Sequence, residues 1–302
     1  MFLCRDHLMT AINAHGYAMI YLTPNRLVDF GAGEATISFD LSTLRSSQRD
    51  WVDLWITPYD DQLQLPLESW LPDVCGEPRN AIHIRMDTFN GQTIFKATLI
   101  HEFAATELPL ASTDGYERVL TPDAKRRDTF ELRISREHLR FGMPAYSLTW
   151  VDTALPDLGW AQGVVQFGHH SYNPTKECPD CTPNTWHWDN LAIRPSAPFT
   201  IIPAARRSLG PADNPTVEFP APAPPGAHLR FAGIGTNLEL SFDGGASWQA
   251  AQRQAQRGEA PEHFASYWAP IPAGVQRVQL RGASWWGGDW HVRDLSIWSL
   301  SH

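Results

Sequence analysis

Apolar and polar residues alternate with a period of two along many short segments, and this pattern constrains the fold more than any other feature. Ile37, Phe39 and Leu41, for example, alternate with the polar residues Ser38 and Asp40. Successive side chains of a strand point to opposite faces of its sheet, so the pattern predicts antiparallel sheets with one face in the core. Similar runs occur at residues 50–57, 81–87, 94–103, 129–135, 146–151, 164–167 and 185–193.

Proline and glycine divide the chain into short elements and predict its domain organisation. The 302 residues include 24 prolines and 21 glycines, which favour short strands joined by turns over long helices. Nine of the prolines lie between residues 195 and 227. We therefore predict a first β-sandwich domain over 1–195, a Pro-rich connector over 196–227 and a smaller β-sandwich over 228–302.

Charge and motif content exclude several classes of partner and chemistry. The net charge of −9 offers no surplus of cations for phosphates, so neither nucleic acid nor an anionic membrane surface is predicted as a partner. No apolar run approaches the ~18 residues of a membrane span, so membrane insertion is not predicted. The sequence also lacks P-loop, GxGxxG, GxSxG and HExxH patterns, and therefore gives no support for nucleotide, esterase or zincin chemistry.

Two segments of the first predicted domain carry a family resemblance. Phe130-Glu-Leu-Arg-Ile-Ser135 and the closing Trp186-His-Trp-Asp-Asn-Leu-Ala-Ile193 resemble strands of the concanavalin A-like lectin and glucanase superfamily. The resemblance implies a jelly roll of two curved antiparallel sheets that recognises carbohydrate. The E-x-D-x-(x)-E strand motif of glucanases in this superfamily is absent, so the resemblance transfers no catalytic residue.

The second predicted domain contains Ser241-Phe-Asp-Gly-Gly-Ala-Ser-Trp248, which resembles the Asp-box pattern at every fixed position. In such a hairpin turn Asp243 is expected to accept backbone N–H groups, and Trp248 to hold the hairpin against the sheet. A single copy of the motif indicates one hairpin with an Asp-box turn in a small sandwich. We interpret it as structural.

Most candidate site residues lie on two predicted strands, 50–57 and 81–87, where functional side chains alternate with apolar ones. Two indoles that flank a carboxylate can stack a pyranose ring and bind its hydroxyls. In the alternative interpretation, the indoles form a second packing layer and the charged residues pair on a solvated face. The predicted substrate-binding residues are Trp51, Trp55, His83, Arg85, Arg133 and His170, and the catalytic candidates are Asp53, Asp87, Glu131 and His83.

Three functions fit these features. The leading hypothesis is recognition of a polysaccharide or oligosaccharide by a lectin-like sandwich. The enzyme alternatives are a glycoside hydrolase, with two carboxylates ~5–9.5 Å apart, and a polysaccharide lyase that uses His83, His170 and Arg85. The third hypothesis is a cell-surface adhesion module that binds no glycan. A glycan partner favours an extracellular location, whereas the opening residues lack a signal-peptide pattern and leave a cytoplasmic location open.

The CxxC segment at Cys178 and Cys181 lies in a proline-flanked loop and has three interpretations. The two cysteines form a disulfide, remain free thiols, or bind a structural metal ion together with His169 and His187, which would complete a tetrahedral zinc set. None of the proposed functions requires any other cofactor.

We expect the disulfide between Cys178 and Cys181 to be detectable by mass spectrometry without reductant. The peptide that contains both cysteines should then be two hydrogens lighter than its reduced form. Stoichiometric zinc in the purified protein, lost on Cys178→Ser, would instead support the metal site.

Overall fold

The computed structural model of the protein is built almost entirely of β-strands. In the part of the chain that it describes, the one helix named is a three-residue 3-10 helix at Pro144–Tyr146. The prediction of an all-β fold is therefore confirmed. No helix among these residues is long and apolar enough to cross a membrane. The described residues are 2–4, 7–12, 16–45, 50–59, 78–87, 94–112, 127–173, 184–205, 208–213, 215–253, 265–283 and 289–300.

The described residues form two compact units: those within 1–59 and 80–197 belong to the first, and those from Pro198 onward, with Pro78 and Arg79, belong to the second. The strands of the first unit are β1 (Phe2–Cys4), β2 (His7–Ile12), β3 (Gly16–Leu22), β4 (Arg26–Asp29), β5 (Ala35–Arg45), β6 (Asp50–Pro58), β7 (Ala81–Asp87), β8 (Ile94–His101), β9 (Ala104–Glu107), β10 (Asp128–Ile134), β11 (His138–Met143), β12 (Leu148–Ala154), β13 (Gln162–Asn173) and β14 (Asn184–Arg194).

Two antiparallel sheets of the first unit enclose its hydrophobic core. One sheet has the order β1-β2-β14-β5-β10-β11-β12. In the other, β13 pairs with β3 and β4 along one side and with β6 along the other, and β7, β8 and β9 follow. Phe39 of the first sheet stacks on Phe130, with ring centroids 5.4 Å apart, and meets Phe167 of the second sheet at 4.9 Å. The inward side chains of β6 and β7 complete this core, as their alternation predicts: Val52, Leu54, Ile56, Ile82 and Ile84.

The second unit contains two further antiparallel sheets around its own core. Strands β21-β22-β18-β24-β15 form one sheet, in which β16 also pairs with β24, and β17-β23-β19-β20 form the other. The strands are β15 (Ser196–Pro203), β16 (Ser208–Leu209), β17 (Thr216–Glu218), β18 (His228–Ile234), β19 (Thr236–Ser241), β20 (Gln249–Ala250), β21 (Gln252–Arg253), β22 (Ala265–Pro270), β23 (Arg277–Ala283) and β24 (His291–Leu300).

The Pro-rich segment 196–227 is more ordered than a connector. It contributes β15, β16 and β17 to the second unit, where β15 and β16 pair with β24 and β17 pairs with β23. The prolines permit this because only two of them lie in these strands: Pro203 is the last residue of β15, and Pro198 precedes the part of β15 that pairs with β24.

Side-chain hydrogen bonds close the hairpin turn between β19 and β20. Asp243 accepts the backbone N–H of Ser247 at 2.9 Å and the hydroxyl of Ser241 at 2.8 Å. Together these bonds hold the pKa of Asp243 well below its ordinary value, and the hydrogen bonds from Ser247 contribute most. The guanidinium of Arg281 lies 4.1 Å from the ring centroid of Trp248 and covers the indole. The segment therefore has a structural role in the second unit.

We expect Phe130→Ala to lower the free energy of unfolding by about 3–5 kcal/mol, because it removes a fully buried ring from the core of the first unit. Leu191→Ala is the matched control, since this side chain is 43% exposed and its truncation should change stability by no more than about 0.5 kcal/mol. Urea unfolding of both variants measures the difference. Equal stabilities would contradict the assignment of Phe130 to the core.

Candidate functional site

The sheet that contains β13 and β6 presents an ordered group of polar side chains on the face opposite the core. Register places Tyr21, Gly168, Asp53 and Arg85 side by side across four adjacent strands. We call this group the polar face. Its members on β3, β13, β6 and β7 are Tyr21, Gln166, Gly168, His170, Trp51, Asp53, Trp55, Thr57, His83 and Arg85.

The carboxylate of Asp53 is the centre of the polar face. Its Oδ2 lies 3.0 Å from Nε2 of His170 and 3.3 Å from Nε2 of His83. The two imidazoles come from β13 and β7, the strands on either side of β6, and approach Asp53 diagonally. The hydroxyl of Tyr21 lies 3.2 Å from the same Nε2 of His170. Four strands therefore contribute to one connected set of titratable groups.

The electrostatics of this set fix the ionisation of its members. Burial alone would raise the pKa of Asp53, but attraction to His170 and hydrogen bonds from both imidazoles hold that pKa far below its usual range. Burial lowers the pKa of His83, more than the bond to Asp53 raises it. At neutral pH His83 is therefore uncharged and donates its Nε2–H to an ionised carboxylate. Its Nδ1 then carries the lone pair.

Two indoles support the imidazoles. Trp55 stacks on His83 with ring centroids 3.6 Å apart, and Trp51 stacks on His170 at 5.0 Å, each pair lying 10° from parallel. The guanidinium of Arg85 lies 4.7 Å from the centroid of Trp51. The indoles are only 2% and 4% exposed. They thus form the second packing layer that the sequence left open as an alternative, and they are not open platforms for a sugar ring.

Gly168 provides the space that Asp53 occupies. A Cβ atom at this position would lie 1.9 Å from Oδ1 of Asp53 and 2.7 Å from Nε2 of His170. Sequence reasoning missed Gly168, Tyr21 and Gln166. The available signal was a glycine directly after the predicted strand 164–167 and before two histidines, because a glycine in an extended segment marks a close approach by another group.

Three buried polar atoms on the polar face have no hydrogen-bond partner in the described part of the chain. They are Nε1 of Trp55, Oγ1 of Thr57 and Oε1 of Gln166. Gln166 lies directly opposite Trp55 in the β13–β6 ladder. Its amide nitrogen donates to Oγ1 of Thr23 at 3.0 Å, which leaves its oxygen as an unused acceptor. Each such buried group costs about 1–3 kcal/mol unless a ligand or water satisfies it.

Other predicted site residues do not join the polar face. Glu131 and Arg133 lie on β10 of the opposite sheet, where Nε of Arg133 donates to Glu131 at 2.6 Å. Their side chains point outward from that sheet, so the core separates them from Asp53. Asp87 is the last residue of β7 and pairs with Trp51 in register, but its side chain lies outside the described residues.

The two histidines of the proposed zinc set point in different directions. His169 faces the interior, where Oγ1 of Thr10 lies 3.0 Å from its Nδ1. His187 lies on the outer face of the opposite sheet beside His7, because Trp186 and Trp188 on either side of it enter the core. Cys178 and Cys181 lie outside the described residues. Among those described, no group of three or more His, Cys, Asp or Glu side chains is arranged to hold a metal ion.

Several solved structures are similar to a part of this chain. No family model and no curated protein matches the sequence. A protein of unknown function with a galectin-like fold from Bacillus subtilis is 14% identical, over 63% of this chain and 83% of that chain, with a TM-score of 0.36. The carbohydrate binding module CBM66 from Bacillus subtilis is 11% identical, over 64% of this chain and 99% of that chain, with a TM-score of 0.31.

A third similar structure is the exoplasmic/lumenal domain of VIP36, in a form bound to Ca2+ and Man3GlcNAc. It is 13% identical, over 62% of this chain and 83% of that chain, with a TM-score of 0.34. Similarity at this level assigns neither a ligand nor an activity to this protein.

We expect the stability of the protein to depend on pH through His83. The pKa of this imidazole is lower in the folded protein than its ordinary value of 6.5. The unfolded chain therefore binds the proton first, and stability present above about pH 6.5 is lost as the pH falls towards the folded-state pKa. The charged or titratable groups that face His83 are Asp53, His170 and Arg85.

Urea unfolding at several pH values would measure this effect in the wild type and in His83→Gln, which keeps a donor for Asp53 but does not titrate. The difference between the two proteins isolates His83 from other histidines. The same pH dependence in both proteins would contradict the prediction.

Proposed function

We propose that this protein binds a carbohydrate at the polar face. The observation that carries the proposal is a group of polar side chains that retain exposure, His83 at 13% with the half-buried Arg85 and Tyr21, on the same face as three buried polar atoms without a partner among the described residues. These three atoms belong to Trp55, Thr57 and Gln166. Trp55 offers a donor, Gln166 an acceptor and Thr57 both. A sugar ring presents adjacent hydroxyls that each donate one hydrogen bond and accept others, and it therefore matches this combination.

The surroundings support a preorganised binding site. The indole of Trp55 is held against His83, and the amide of Gln166 is oriented by its bond to Thr23. Groups that are already fixed in the free protein lose little conformational entropy when a ligand arrives. Arg85 and Tyr21 are half-buried and add a cation and a hydroxyl at the margin of the polar face.

The same features disfavour a purely structural module. A face that only packed against other residues would be more stable with apolar side chains, because burying an ionised carboxylate costs several kcal/mol of solvation. Here an ionised Asp53 and, further along the same face, Thr57 and Gln166 are all buried at 1–2% exposure. Clusters of perturbed titratable groups with unsatisfied neighbours are typical of functional sites.

Thr57→Val tests the proposal with a nearly isosteric change. Removing a hydroxyl that has no partner should leave the free energy of unfolding unchanged or higher. Glycan affinity should fall ~3- to 10-fold, as expected for one hydrogen bond. An array of plant, algal, bacterial and animal polysaccharides would identify the ligand, and isothermal titration calorimetry would then measure both proteins.

Thr129→Val is the matched control, because Thr129 donates to Asp40 on the outer face of the opposite sheet. This variant should bind the glycan as the wild type does. Absence of binding to every polysaccharide, or equal affinity of Thr57→Val and the wild type, would refute the proposed site.

A further inference from the structure

We propose that the polar face also cleaves its glycan by β-elimination, with His83 as the general base and a uronate-containing polysaccharide as the substrate. This inference rests on the proposed carbohydrate binding and adds a reaction to it. Three features of the polar face support it: the tautomer of His83, the cation of Arg85 and the hydroxyl of Tyr21.

His83 has the geometry of an oriented base. Asp53 accepts its Nε2–H, and this leaves the Nδ1 lone pair available for a proton. No hydrogen bond to Nδ1 occurs among the described residues, and the side chain retains 13% exposure. His170 differs, because its side chain is fully buried and its Nε2 is shared by Asp53 and Tyr21. We therefore assign His170 and Asp53 as positioning residues.

The position of Arg85 indicates the substrate class. Removing a proton from carbon is slow unless the negative charge that develops is stabilised by an adjacent group. In a uronate the carboxylate next to C5 can accept this charge, provided that a cation neutralises it. Arg85 lies two residues from His83 on the same face of β7, so one sugar ring can reach both.

The elimination step consumes neither water nor a cofactor. The C5–H bond breaks, its proton passes to Nδ1 of His83, and the electron pair forms the C4=C5 double bond. The C4–O4 bond breaks, and the leaving oxygen takes a proton from the hydroxyl of Tyr21. Solvent then removes the proton from His83 and returns one to Tyr21.

Hydrolysis fits the same side chains less well. It requires two carboxylates about 5–9.5 Å apart on either side of the bond. Among the described side chains of the polar face Asp53 is the one carboxylate, and both imidazoles already bond to it. Glu131, the other candidate with a described side chain, lies on the opposite sheet.

The test is incubation of the full chain with alginate, polygalacturonate and chondroitin, with xylan and laminarin as neutral controls. Ultraviolet absorbance and mass spectrometry would detect the unsaturated product, and calorimetry would measure binding to the same polymers. We expect unsaturated oligosaccharides from at least one of the uronate polymers and none from the neutral ones.

His83→Ala should reduce the rate roughly 100- to 10,000-fold, the usual contribution of a general base, with affinity changed only a few-fold. His83→Gln should behave in the same way while preserving the donor to Asp53. His138→Ala is the matched control, since this exposed histidine lies on β11 of the opposite sheet, and it should retain full activity.

The other outcomes separate the two proposals. Binding of a glycan without any cleavage, cleavage that adds water and yields saturated ends, or full activity of His83→Gln would each overturn elimination and leave the proposed binding intact. Failure of the wild type to bind any polysaccharide would overturn both.

Discussion

The ionised carboxylate of Asp53, buried between two imidazoles, determines the arrangement of the polar face. A carboxylate without partners at this depth would lose several kcal/mol of solvation. Hydrogen bonds from Nε2 of His170 at 3.0 Å and from Nε2 of His83 at 3.3 Å compensate for this loss of solvation. This arrangement requires Gly168 beside it, because any larger residue would overlap Oδ1 of Asp53. Because the ionised carboxylate can only accept a hydrogen bond, Nε2 of His83 carries the hydrogen and Nδ1 carries the lone pair.

The core of the first unit makes this arrangement rigid. Each strand of the polar face has its other face in the core, where Leu54 and Ile84 on the reverse of β6 and β7 are buried. Close packing allows little displacement of a backbone enclosed in this way. The cross-strand stacking of Trp55 on His83 adds a second constraint from outside. The proposed binding and proton transfer would therefore use groups that are already ordered before the ligand arrives.

The two functional proposals assign different tasks to neighbouring atoms. The unpartnered groups of Trp55, Thr57 and Gln166 would bind hydroxyls, whereas His83 and Arg85 would act on one carbon and its carboxylate. Binding does not depend on the lone pair of His83, so a chain can retain recognition and lose chemistry. Under the two proposals, a binding site and a catalytic site would therefore share one sheet.

The sequence by itself determined a part of the strands, among them β5, β6 and β7, and the face to which their residues belong. Alternation with a period of two placed Trp51, Asp53 and Trp55 together and opposite Val52 and Leu54, as the structure has them. This works because the direction of a side chain along a strand is a local property of the backbone.

Only the tertiary structure decided which strands are neighbours. His170 meets Asp53 across 117 residues of chain, whereas Glu131 lies on the other sheet. It also decided that Trp51 and Trp55 are buried. Strand pairing and burial depend on contacts between segments distant in sequence, and the alternation within one strand contains no information about its partner.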